Sequence, residues 1–524
     1  MKLLIVCLAA VPLFAQVTYE RILKSSSEPG NWLTYSGNYA GHRFSPLDQI
    51  NDRNVQRLRP VWAYQASSLQ KFETTPLVID GIMYISEPPS NVTALDTRTG
   101  RPLWKYRRRL PDDLRVCCGQ VNRGVAALGD LIYLGTLDGY LVALNAKTGA
   151  VHWETKVANY KGGYSITVAP LAVKDKIVIG VAGGEYGVRG LLDAYDAKTG
   201  RQAWRFWTIP GPGEPGNETW QGDSWKTGSA TTWVTGSYDS ETNLIYWGTG
   251  NPGPDWNGDV RAGDNLYADC ILALDADTGK LKWYFQFTPH DVHDWDATQV
   301  PVLFEAEIRG AKRKLVAFPN RNAFYYVLDR TTGQFILGKP YAKQTWAKGL
   351  DDSGKPMRVP GTFPTMEGVK VWPAVAGANN WYSPSYSPRT SLLYVAVREA
   401  GSTYYIGDAE FKEGERFDGG GFRDVPGEEE YGAVRAFNPA TGEMKWEHRL
   451  FSPPWAGVLS TAGNLVFHGT HEGQFYALDA TTGKPLWRYQ AGGAAYSNPI
   501  SFLSDGKQYV AMTMGNSLYV FGLE

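Results

Sequence analysis

Short apolar runs ending in a polar turn recur along this chain. The repeated phrase is an apolar strand end, an Asp or Asn, then Thr-Gly, then a Trp four residues after the Gly. It reads Ala94-Leu-Asp-Thr-Arg-Thr-Gly100 with Trp104, and Ala143-Leu-Asn-Ala-Lys-Thr-Gly149 with Trp153. Further copies centre on Gly200 with Trp204, Gly279 with Trp283, Gly442 with Trp446 and Gly483 with Trp487. At Gly333 the Trp position holds Leu337 instead. The phrase predicts a hairpin. Asp or Asn opens the turn, Gly takes positive φ, and the next strand begins with an aromatic that docks between sheets.

Spacings of roughly 40–50 residues fit one four-stranded blade per copy. Two intervals are longer, Gly200 to Gly279 and Gly333 to Gly442. The second has room for a further blade, with strands expected around 382–387 and 392–397. Helical periodicity is scarce. The seven copies and the concealed blade predict an all-β chain, an eight-bladed β-propeller with tryptophan-docking repeats. The last strand, around 519–521, is expected to pair with one near 61–64, which removes open sheet edges. The acidic, Gly-rich stretch 413–430 reads as a surface loop with a solvated charged face. No low-complexity linker divides the chain, so residues 16–524 read as a single domain.

The ends and the composition narrow the setting. Met1-Lys2 precedes an apolar run from Leu3 to Ala15, the outline of a signal peptide cleaved near Ala15. That run is too short to span a bilayer comfortably, and no later stretch approaches 20 apolar residues. An exported protein is expected, periplasmic in a Gram-negative source. The 58 Gly, 19 Trp and 30 Tyr suit many short strands joined by turns. With 52 basic and 53 acidic residues there is no electrostatic ground for nucleic-acid binding.

Candidate chemistry falls between the repeats. Cys117 and Cys118 are adjacent, and a trans peptide sets neighbouring Cα atoms about 3.8 Å apart, below the usual disulfide range of about 4.4–6.8 Å. A closed ring there must distort its peptide and would form a special surface. Two reduced, buried neighbours are the other reading, and these two residues alone leave both open. Cys7 leaves with the signal, so Cys270 remains as an odd, buried thiol. Unusual polar and aromatic residues occur about once per interval: Glu73, Arg123, Thr167, Glu185, Trp233, Asn251, Asp294 with Asp296, Arg321, Asn380 with Trp381, and Trp455. His290 and His293 stand beside acids but lack a thiolate partner, a weak outline of a zinc or copper site. They read better as residues that shape the loop or line an entrance.

The segment Cys117-Cys-Gly-Gln-Val-Asn-Arg123 resembles the vicinal-disulfide motif of quinoprotein alcohol dehydrogenases, which use pyrroloquinoline quinone (PQQ). Phe72-Glu-Thr-Thr-Pro76, Thr167-Val-Ala-Pro170, Gly183-Gly-Glu185, Gly248-Thr-Gly-Asn-Pro252 and Pro289-His-Asp-Val-His-Asp-Trp-Asp296 are similar to that family's motifs in the same order. The resemblance implies that the disulfide covers one face of the flat, tricarboxylated quinone and Trp233 the other. It implies further cofactor contacts from Glu73, Arg123, Thr167, Ala182, Gly183, Gly184, Arg321, Asn380, Trp381 and Trp455. Arg123 is suited to a cofactor carboxylate, and the glycines to close backbone approach. Ala182 stands where some relatives carry Ser, one hydroxyl fewer.

By the same resemblance Glu185, Asn251, Asp294 and Asp296 are the metal ligands, hard oxygen donors suited to calcium-like ions. Asp294 matches the catalytic base that removes the alcohol proton while hydride passes to the quinone. Arg321 is the partner of the developing oxyanion. Calcium-dependent members carry a small residue two positions after the base, and lanthanide-dependent members carry Asp, as Asp296 does here. A lanthanide is therefore expected, with calcium as the alternative. The implied activity is oxidation of primary alcohols to aldehydes. With no Cys-x-x-Cys-His haem motif in the chain, a separate soluble cytochrome c is the expected acceptor. A PQQ-dependent sugar or polyol dehydrogenase and a non-catalytic propeller scaffold are the competing readings. No dimer interface is legible, which leaves a homodimer open.

Overall fold

The computed structural model describes residues 16–308 and 310–523. The expected signal peptide, 1–15, lies outside the described residues. One five-residue α-helix, Tyr19–Leu23, accompanies 38 strands among the described residues. Eight sheets have four or five strands, and two are smaller. Five four-stranded sheets follow one another along the chain, spanning 77–106, 126–156, 171–207, 237–286 and 302–340. A sixth joins Ser385–Ser387, Leu392–Glu399, Tyr431–Asn438 and Glu443–Leu450. It occupies the long interval where the sequence predicts a concealed set of strands. The seventh, within 458–490, gains Phe44–Ser45 as a parallel fifth strand. In the eighth, Leu58–Gln65 pairs antiparallel with the C-terminal strand Ser517–Leu523, with Trp62 opposite Val520.

The repeat phrase has a consistent physical meaning. In its last hairpin each sheet shifts register, and the shift sets Trp104 opposite Ala94, Trp153 opposite Ala143 and Trp204 opposite Ala194. Trp283, Trp446 and Trp487 likewise face Ala273, Ala436 and Ala477. A small partner leaves room for the indole on that face. Each indole then donates its Nε1–H to a backbone carbonyl of the next sheet's turn. Trp104 reaches Ala146 O at 2.9 Å, Trp153 reaches Ala197 O at 3.2 Å, and Trp487 returns to Leu58 O at 3.1 Å. Gly279 shows why the turn needs Gly. Its φ is +68°, and a Cβ there would sit 2.6 Å from the Trp204 ring.

The apolar residues of these strands are buried between sheets. The residues flagged from sequence precede the first strand of a sheet, as Glu73, Arg123, Thr167, Trp233, Asp294 with Asp296, Trp381 and Trp455 do, or follow the second, as Glu185, Asn251 and Arg321 do. In an antiparallel pair those two places lie at the same end. The stretch 413–430 keeps the expected solvated charged face, with Glu413, Glu415, Asp424 and Glu428 exposed, but it is not loop throughout. Gly420–Asp424 is a strand paired with Ser402–Ile406, and Phe417 is buried. Phe417 meets Phe411, and Phe422, itself exposed, lies on the buried Trp256 at 5.8 Å between ring centroids.

Candidate active site

One cavity of about 480 Å³ is bordered by every residue that the sequence singles out as a cofactor contact, metal ligand or catalytic group. Cys117 and Cys118 are joined as a disulfide, and Cys118 adopts φ +66°. Cys270 is a buried free thiol. The two disulfide sulfurs come close to the Glu185 carboxylate, with Cys118 Sγ 3.8 Å from Oε1. A disulfide sulfur carries no proton and no thiolate charge, so this is a contact surface and not a thiolate metal site.

Arg123 organises one side. Its guanidinium lies between the rings of Trp233 and Trp381, 4.8 Å from each centroid. Its Nη1 donates to Thr167 Oγ1 at 2.8 Å, and Nη2 is 2.8 Å from Glu73 Oε2. Both charged groups are about 5% exposed. Burial nevertheless holds the Glu73 carboxyl above its usual range, against the pull of Arg123. Arg123 Nε and Arg321 Nε are buried without hydrogen-bond partners. Asn380 turns its side chain to the backbone, accepting from Trp381 N and donating to Ala376 O. Arg398 lies over Trp455 at 4.3 Å.

The other side is crowded with acids. Asp296 Oδ1 accepts from Asn251 N at 2.8 Å, and Oδ2 pairs with Arg321 Nη1. Arg321 Nη2 lies 3.6 Å from Asp294 Oδ2 and donates to Val375 O at 2.5 Å. Asp255 accepts from Asn251 Nδ2 at 2.8 Å. Burial pushes Asp294 well above the ordinary carboxylate range. Arg321 opposes that shift, while Asp296, Asp255 and Glu185 add to it. Glu185, Asp255 and Asp296 are raised as well, each chiefly by burial. Four carboxylates and an amide thus share one wall, Asp255 and Asp296 buried, Glu185 and Asp294 half-buried, with Arg321 the guanidinium in contact. This oxygen-only donor set suits a hard cation of high charge. The disulfide, the Trp233 face and the unpartnered guanidinium N–H groups suit a flat, anionic ring.

The two histidines are structural. His293 is fully buried, stacks on Trp295 at 4.2 Å and meets Thr362 O through Nε2 at 2.8 Å. His290 Nδ1 is 2.8 Å from Gly263 O. Neither borders the cavity, and their contacts with backbone carbonyls fit the loop-shaping alternative of the two expected from sequence. Sequence reasoning misses other lining residues, among them Asp255, Trp256, Arg398, Phe422 and Tyr496. Asp255 and Trp256 lie just past the Gly248–Pro252 motif and would be found by extending it. Phe422 could not be found that way, because it arrives on a strand of a small separate sheet.

Comparison with known proteins agrees with this geometry. A family model described as the β-propeller domain of PQQ-dependent glucose/ethanol/alcohol dehydrogenases matches residues 32–343. A second, described as outer membrane protein assembly factor BamB, matches 430–521. The chain is 44% identical to quinoprotein alcohol dehydrogenase PedH of Pseudomonas putida, over 96% of this chain and 89% of that one. It is 38% identical to a lanthanide-dependent methanol dehydrogenase of Methylacidiphilum fumariolicum, over 95% and 86%. A europium-containing methanol dehydrogenase structure superposes with a TM-score of 0.91 at 35% identity, over 96% of this chain and all of that one. A model match across more than half the sequence, and relatives alike along nearly its whole length, make this chain a member of the PQQ-dependent quinoprotein alcohol dehydrogenase family.

Proposed function

We propose that this chain is a lanthanide-loaded alcohol dehydrogenase of the periplasm, oxidising primary alcohols to aldehydes and passing electrons to a soluble cytochrome c. It is exported by the segment 1–15, and residues 16–524 form one eight-bladed propeller locked by its docked tryptophans. Eight sheets of at least four strands support that count, as do the indole hydrogen bonds between consecutive sheets. No helix among the described residues is long and apolar enough to cross a membrane.

PQQ would lie between the Cys117–Cys118 disulfide and Trp233, with its carboxylates toward Arg123, Thr167 and the backbone of Ala182–Gly184. Glu185, Asn251, Asp294 and Asp296 would hold the metal. When bound, the quinone supplies a hydride acceptor and the metal supplies Lewis acidity. The protein's part is proton removal and orientation. Asp294 takes the hydroxyl proton of the alcohol on a carboxylate oxygen. A cation among these oxygens favours its ionised form, reversing the mutual repulsion of the acids. Arg321 keeps Asp294 and Asp296 in place by contacting both. Trp256 and Phe422 form an apolar stretch of the cavity wall that limits water around the substrate.

The observation that carries this reading is the set of four carboxylates and Asn251 on the same cavity as the vicinal disulfide. The similarity to the lanthanide-dependent methanol dehydrogenase of Methylacidiphilum fumariolicum is consistent with it. Protein produced without PQQ should be reconstituted with the quinone plus lanthanum or calcium, and assayed by dye reduction across an alcohol series. Alcohol-dependent turnover with lanthanum is the expected result. Turnover restored by calcium alone refutes the lanthanide assignment, and turnover of sugars but not alcohols refutes the substrate class. Asp296→Ala should lower lanthanum-supported turnover more than any calcium-supported rate.

A further inference from the structure

Asp255 stands outside the matched motifs, three residues beyond Pro252, yet its side chain is 2% exposed and reaches the cavity beside Asn251. Asn251 is held at three points. Its backbone N–H donates to Asp296, and its Nδ2 donates to Asp255 Oδ1 at 2.8 Å and to Pro252 O at 3.3 Å. Both amide protons are therefore spoken for by acceptors on one side. Oδ1 is turned the other way, toward Gly184, 3.8 Å from the point that a Cβ there would occupy. Flipping the amide would set Oδ1 against the Asp255 carboxylate, oxygen facing oxygen, and turn two N–H groups toward the acids' shared space.

The loop that carries Asp255 is itself fixed. Arg261, fully buried, donates from Nε and Nη2 to Pro254 O at 3.1 and 3.0 Å, and from Nη2 to Asp291 O at 2.6 Å. One guanidinium thereby ties the Asn251–Asp255 loop to the segment bearing Asp294 and Asp296. The next residue, Trp256, packs on Phe422 and accounts for the other edge of the loop. Ionised, Glu185, Asp255, Asp294 and Asp296 set against Arg321 leave three negative charges, those of one trivalent ion.

We propose that Asp255 is a positioning residue for this cation site. It fixes the Asn251 side chain with Oδ1 directed at the ion and, without ligating it, adds a negative charge that favours trivalent over divalent cations. The inference rests on the proposed cation site, and its test separates the two. The full chain, free of quinone and stripped of metal, is titrated with Tb³⁺ by tryptophan-sensitised luminescence and with Ca²⁺ by competition. Asp255→Asn keeps an acceptor for Asn251 Nδ2 and removes only the charge. A Coulombic effect scales with ion charge, so a loss of about tenfold for Ca²⁺ implies about 30-fold for Tb³⁺. Asp255→Ala also releases the Asn251 amide, and the Tb³⁺ emission lifetime should shorten as a water replaces Oδ1. An unchanged lifetime overturns the orienting role. A merely structural role would weaken both ions alike and would leave their ratio unchanged. That outcome, or unaltered binding in Asp255→Asn, overturns the inference while leaving the site intact. Wild-type protein that binds neither ion overturns the cation-site reading, and the inference with it.

Discussion

Two histidines that do not line the cavity should make this protein sensitive to mild acid. His468 is fully buried and His42 partly so, and loss of solvent around the ring lowers each from the ordinary 6.5 to about 4. His42 Nε2 is 2.6 Å from Leu303 O and His468 Nδ1 is 3.2 Å from Gly457 O. A carbonyl only accepts, so those nitrogens carry the proton of the neutral ring. His468 Nε2 has no partner at all. The unfolded chain takes up a proton as pH falls through 6.5, and the folded chain refuses it until about 4. Stability is therefore intact above pH 6.5 and is lost as pH falls across that window. At pH 5 the loss is about 2 kcal/mol for each ring and about 4 kcal/mol for the pair. His42→Gln and His468→Asn preserve the donating N–H without a titrating ring. Urea unfolding of wild type and the double variant at pH 7.5 and pH 5 measures the difference. The carboxylates contribute equally to both proteins, so the variant should lose about 4 kcal/mol less. Identical losses in the two proteins would refute the assignment.

Two further tests address the reaction and the fold. Asp294→Asn cannot accept a proton, so kcat should fall by about 10²–10⁴-fold, while bound quinone, read by absorbance, is retained. Gly279→Ala puts a methyl group at φ +68° and 2.6 Å from the Trp204 ring, and should destabilise the protein by about 2–5 kcal/mol in urea unfolding.

The repeat was legible because its parts are local: a turn glycine, a small cross-strand partner and an indole close in sequence. Where that pattern thins, the sequence loses its voice. Leu337 fills the Trp place, and Gly442 faces Leu337 and Tyr325 instead of an indole. Trp62 docks on Gly100 and donates to Thr97 O at 3.0 Å, yet no Thr-Gly precedes it, because its strand completes a sheet begun at the other end of the chain. The site residues were legible where they fall within the motifs. Asp255 and the wall formed by Trp256 and Phe422 were not, since their meaning lies in contacts with residues far along the chain. The small sheets within 347–424 were invisible for a related reason: their strands are short and carry no repeat phrase.

The shared sheet of Leu58–Gln65 and Ser517–Leu523 joins the first-made and last-made parts of the molecule. The chain cannot finish that sheet until the strand Ser517–Leu523 has been made. Completion of the sheet is thereby timed to the end of synthesis, and a product lacking that strand would leave the edge of Leu58–Gln65 unpaired.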